Sequence, residues 1–175
     1  ISFQVLMVGH IFLTKFYSPN NYHTTFKYIF GLLILSNIFL IINFITSLNL
    51  LINIFIFLFP FLYLFKLKKK YKNKFIKNSI IFAIFVLLLI SYDTVNRPDA
   101  GLYHLPFTSL LNENKIIFGS ANLHFRFGHT SIIQYIDAGY FNYLFKDIGI
   151  LIPRCLFLFS ILSFFFSEIS RNLKL

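Results

Sequence analysis

Five of the six acidic residues in this 175-residue chain fall in one stretch, at Asp93, Asp99, Glu113, Asp137 and Asp147. The same stretch, residues 93–147, holds three of the five histidines, His104, His124 and His129. Its basic residues are Arg97, Lys115, Arg126 and Lys146, so its net charge is −1 while the rest of the chain carries +11. Carboxylates can accept protons and guanidinium groups can hold anions, so any chemistry is concentrated here. The three histidines with an aspartate can bind a divalent metal such as zinc or manganese. Their spacing matches no compact ligand pattern, however, and no metal site is assigned. The chain has no Gly-rich phosphate loop, no nucleophile elbow and no nucleotide-binding fingerprint. Its single cysteine, Cys155, excludes an internal disulfide and any Cys-rich metal site.

The elements that must position these residues are membrane helices. Hydrophobic residues make up 57% of the chain and charged residues 13%, against about 45–50% and 25% in a typical globular protein. Mean hydropathy is +0.73. A net charge of +10 can signal nucleic acid. Here apolar runs separate the basic residues, so membrane lipid is the expected partner and nucleic acid is not. The 26 Phe, with abundant Ile, Asn and Lys, resemble the codon bias of an AT-rich genome and carry no functional weight.

The expected fold is all-α, with polytopic transmembrane helices and one long extracytoplasmic loop. A bilayer core of about 30 Å takes roughly 20 apolar residues as helix. The chain opens at Ile1 inside an apolar stretch, so Ile1–Leu13 reads as the end of a truncated helix, and the chain as a fragment. Around Ser18-Pro19-Asn20-Asn21 the next stretch reads as a turn. Residues 28–65 lack any charge and are long enough for two spans, a hairpin with its turn at Thr46-Ser47-Leu48-Asn49 and a kink at Pro60.

Seven of the sixteen basic residues follow within residues 66–77, which read as a short cytoplasmic loop under the positive-inside rule. Residues 75–92 then run outward, 93–147 form the extracytoplasmic loop, 148–167 return, and 168–175 end inside. Within the loop, Leu102–Leu111 and Thr130–Phe145 read as two helices along the outer membrane surface. Tyr135, Tyr140 and Tyr143 suit the headgroup level, and an irregular stretch around Gly119 to Gly128 joins the two helices. The alternative for residues 130–145 is a re-entrant or spanning segment.

The sharpest string is Asp99-Ala100-Gly101-Leu102-Tyr103-His104-Leu105-Pro106. In its setting of basic loop, outward helix and long loop, it resembles the first large outer loop of GT-C-type polytopic glycosyltransferases. It is similar to bacterial members carrying an Asp-x-x-x-Tyr-His-Leu-Pro motif, in the group of the dolichyl-phosphate-mannose mannosyltransferases and aminoarabinose transferases. Gly119–Gly128 looks like a stretch of uncharacterised members, and the resemblance covers about residues 66–170.

The resemblance implies a bacterial inner-membrane enzyme that moves a sugar from a polyprenyl-phosphate donor to an envelope glycan or lipid acceptor. Asp99 matches the position of the general base, with Asp93 its competitor. Arg97, Arg126 and Arg154 are candidates to stabilise the leaving phosphate, and Tyr103 and His104 to line the acceptor site. Asp99 can equally cap a helix starting near Gly101, and Asp93 can simply mark a helix exit. Arg154 lies about 9 Å into the last span, where it either snorkels outward or faces a polar cavity. Members of that class have many more spans, so these residues alone would be inactive. The competing readings are a transport or export component and a structural membrane subunit.

Overall fold

The structure, a computed structural model, describes residues 1–16, 23–67, 69–92, 100–128, 131–141 and 145–173, with the side chains of Lys66 and Lys70 left aside. The described residues form seven α-helices and no strand. These are α1 (Ser2–Phe16), α2 (Thr24–Ile45), α3 (Leu50–Leu62), α4 (Lys69–Tyr92), α5 (Leu105–Glu113), α6 (Ile132–Tyr140) and α7 (Ile148–Asn172). Three helical stretches, Thr24–Ile45, Tyr71–Tyr92 and Ile148–Asn172, are long and apolar enough to cross a membrane. They keep large apolar side chains on the outside, as lipid-facing helices do: Ile45 is 76% exposed.

Two apolar helices follow one another across residues 46–49 as expected, but the second, even with the 3₁₀ turn that extends it, is shorter than the helices long enough to cross a membrane. The side chain of Asn49 caps α3 by accepting the Ile52 N–H at 3.2 Å. Just after Pro60 the helix tightens into a 3₁₀ turn, Tyr63–Lys66. The basic stretch differs from expectation. Helix α4 begins at Lys69, so most of residues 66–77 is helix rather than loop. Lysine is a good helix former, and no Gly or Pro interrupts the run.

Helices α1 and α2 pack antiparallel with their backbones touching. A Cβ built on Gly9 would fall 1.8 Å from the Lys27 carbonyl oxygen, and one on Gly31 would fall 2.0 Å from that of Val5. Close approach at small residues is how apolar helices associate where burial from water gives no drive. Buried polar links add to it. Gln4 Nε2 donates to the Ile56 carbonyl at 3.0 Å, and Tyr140 Oη donates to Gln4 Oε1 at 2.7 Å.

The segment after α4 is fastened to the end of the bundle that carries the 46–49 turn. The Leu48 N–H donates to the Leu111 carbonyl, and the Ile116 N–H to that of Asn43, both at 3.0 Å. Asn43 Nδ2 donates to the carbonyls of Leu111 at 3.1 Å and Asn114 at 3.0 Å. One amide thereby satisfies two carbonyls that the C-terminus of α5 leaves open.

Helix α6 is shorter than the expected 130–145, and residues Gln134–Tyr140 are all buried. Tyr135 and Tyr140 therefore face the interior instead of the headgroup level; Tyr143 lies outside the described residues. Two glycines let α6 sink in. A Cβ on Gly139 would fall 2.2 Å from the Phe39 ring, and one on Gly149 would fall 2.0 Å from the Tyr140 carbonyl oxygen. With α2 on one side and α7 on the other, α6 carries the site.

Candidate functional site

Four of the residues singled out by sequence, Tyr103, His104, Arg126 and Arg154, line one cleft of about 390 Å³. They come from three places in the chain. Residues Ala100–His104 form one π-helical turn that leads into α5, and such wide turns recur at functional sites. Pro106 lies in the first turn of α5, where a missing N–H costs nothing. Thr108 Oγ1 donates to the His104 carbonyl at 2.7 Å, which ties that turn to the helix. Arg126 sits on a 3₁₀ turn, Phe125–Gly128, and Arg154 on α7.

Aromatic rings hold the Arg126 guanidinium. Its Cζ lies 4.4 Å from the Tyr103 ring centroid and 5.5 Å from that of Phe125, within the range of cation–π attraction. The rings of Tyr103 and His104 lie 4.2 Å apart. The two residues assigned to the acceptor side and one assigned to the phosphate are therefore neighbours.

Arg154 lines the polar cleft. Its Nη2 donates to Asp137 Oδ2 at 2.6 Å, with the Asp137 side chain 1% and the Arg154 side chain 38% exposed. Burial raises the Asp137 carboxyl to about 6 from its ordinary value of 3.8, and the charge and hydrogen bond of Arg154 pull it back only in part. Asp137 Oδ1 and Arg154 Nε have no partner among the described residues. Gln134 lines the cleft and accepts the Ser131 N–H at 2.8 Å, fixing the first turn of α6.

Asp137 was not among the site residues expected from sequence. A signal for it exists. It stands four residues after Ile133 and three before Tyr140, so an acid interrupts the apolar face of a helix. Such an acid needs a counter-ion, and Arg154 is a cation placed deep in a span.

The remaining expected residues are not brought into view. Asp93, Arg97 and Asp99, and His129 among the histidines, lie outside the described residues. Among the described residues no three His, Cys, Asp or Glu side chains converge as metal ligands would. A second cavity of about 250 Å³ lies beside α5, and Lys115 is its one charged lining residue. The chemistry-bearing side chains belong to the first cleft.

That cleft can hold an anion attached to something flat or apolar. Two guanidinium groups, one of them neutralised from behind by Asp137, meet aromatic walls and a glutamine amide. Compared with known families, residues 1–174 match the family described as a domain of unknown function, DUF8201. No curated protein and no solved structure matches the chain.

Proposed function

We propose that this chain, which belongs to the DUF8201 family, is part of an integral membrane glycosyltransferase that takes its sugar from a polyprenyl-phosphate donor. The acceptor is an envelope glycan or lipid, and the reaction face is the end of the bundle that carries residues 100–147. The observation behind this reading is the convergence of Arg126, Arg154, Tyr103 and His104 on one cleft beside membrane-crossing helices. A polyprenyl-phosphate sugar combines an apolar chain, an anionic phosphate and a polar ring, and the cleft offers a matching surface for each.

In this mechanism Asp99, or else Asp93, takes the acceptor hydroxyl's proton as its oxygen attacks the anomeric carbon. The bond to the carrier phosphate breaks, and its electron pair leaves with the phosphate oxygen. Arg126 and Arg154 stabilise that charge. Sidedness follows the positive-inside rule, with residues 66–77 cytoplasmic in a bacterial inner membrane.

A transport or export component is the second reading, and it requires several charges inside the spans. Among the described residues Arg154 and Lys77 each stand six residues past the start of a candidate span, and Arg154 is held there by an ion pair to the buried Asp137 at the cleft. The test uses the full-length protein in membranes with a radiolabelled polyprenyl-phosphate sugar. Asp99→Asn should abolish transfer to the acceptor fraction at unchanged protein level. Full transfer in both Asp99→Asn and Asp93→Asn would end the proposal.

A further inference from the structure

The segment following α5 carries apolar side chains that the protein does not cover. Phe118 is 86% exposed, and Ile117 beside it is also exposed. Gly119, at φ +78°, turns the chain back immediately after Phe118, a backbone conformation that glycine adopts without strain. Phe118 is thus the tip of a tight turn, and tips of soluble proteins are ordinarily polar.

The height of that turn relative to the spans is fixed by hydrogen bonds. Ile116 N–H donates to the Asn43 carbonyl at 3.0 Å. Asn43 lies two residues before the end of α2 at Ile45, so about 3 Å inside it at 1.5 Å per residue. The Asn43 side chain also holds the carbonyls of Leu111 and Asn114. Ile116 is therefore level with the last turn of a membrane-crossing helix, and Phe118 is two residues away. On that last turn Phe44 and Ile45 are exposed to the outside as well. The turn and the last turn of α2 thus both leave large apolar side chains uncovered, tied together by the Ile116–Asn43 hydrogen bond. Lys115, exposed at the start of the segment, adds a cation of the kind that meets phosphate headgroups.

We infer that the turn Ile117–Gly119 is a membrane anchor, with Phe118 inserted among the acyl chains just below the headgroups. The partner is the lipid surface itself. The same stretch runs on through Ser120 to Phe125 and Arg126, which wall the cleft. Anchoring the turn therefore holds the cleft mouth at the level where a lipid-linked substrate presents its phosphate. This inference rests on the chain's being membrane-embedded and stands whether or not the transferase reading does.

The sequence contains no tryptophan, so one introduced indole is an unambiguous reporter. The full chain carrying Phe118→Trp is reconstituted in phosphatidylcholine–phosphatidylglycerol vesicles. Its emission should shift to the blue and be quenched strongly by lipids brominated near the glycerol end of the acyl chain. Lipids brominated near the chain terminus should quench it less, and aqueous acrylamide little. Ile45→Trp on the lipid-facing end of α2 supplies the depth reference, and Ile117→Trp serves as a second reporter on the turn. Strong acrylamide quenching without bromolipid quenching would overturn the inference by placing the turn in water. Protection from both quenchers would overturn it too, because a protein surface would then cover the turn.

Discussion

Arg154 Nη2 lies 2.6 Å from Asp137 Oδ2, joining the last long helix to the short buried helix before it. The pair is asymmetric. Asp137 is shut away from solvent while Arg154 reaches the cleft, so the carboxylate is held behind the guanidinium and the guanidinium faces any ligand. Ion pairs of this kind are weak stabilisers because desolvation offsets the attraction. The raised carboxyl value says the same of this pair: the cost of burying Asp137 exceeds what Arg154 returns.

Stability should therefore depend on pH through Asp137. Between its ordinary 3.8 and about 6, the folded chain holds a proton on Asp137 that the unfolded chain has lost. This contribution to stability falls as pH rises through that window and returns on acidification. Thermal unfolding of the detergent-solubilised chain should show Asp137 contributing a gain in midpoint from pH 7 to pH 5. Asp137→Asn removes the titrating group, so the variant should lose that gain. Equal pH responses in the two proteins would contradict the assignment.

The α1–α2 contact should tolerate no added atom. Gly31→Ala would drive a methyl group into the Val5 carbonyl, and overpacking of this kind typically costs about 1–3 kcal/mol. Gly101 is the control, because nothing lies within 4 Å of the place its Cβ would take, and Gly101→Ala should leave the midpoint unchanged. Equal melting of the two variants would mean that the helices do not touch at Gly31.

Asn43 should hold the segment after α5 in place. Asn43→Leu keeps the bulk but removes the amide that bonds the Leu111 and Asn114 carbonyls. Leu111 keeps the Leu48 N–H and Asn114 is exposed, so the cost should be that of the lost hydrogen bonds, about 0.5–1.5 kcal/mol each. The Ile116 amide, which bonds the Asn43 carbonyl, should then exchange with deuterium faster than amides in the middle of α2. Unchanged exchange at Ile116 would show that backbone pairing alone fastens the segment.

Much of this architecture is legible in one dimension. Residues 28–65 carry no charge, and the polar break at 46–49 marks the point where one apolar helix ends and the next begins. Uninterrupted apolar runs fix helix and membrane together, because a backbone in lipid must satisfy its own hydrogen bonds. The gathering of acids and histidines in residues 93–147 points to the segment that carries most of the cleft, while Tyr103, His104, Arg126 and, beyond that segment, Arg154 are named only as what the family resemblance implies.

Tertiary structure decided which of these residues meet. Asp137 and Arg154 are 17 positions apart and belong to different helices, so their pairing depends on the faces that α6 and α7 turn to each other. Those faces follow from contacts such as Gly149 against the Tyr140 carbonyl, where a missing side chain lets two backbones close. For the same reason the tyrosines of α6 went inward. An amphipathic helix has the same pattern whether it lies on lipid or packs on protein, and only the packing partner distinguishes the two.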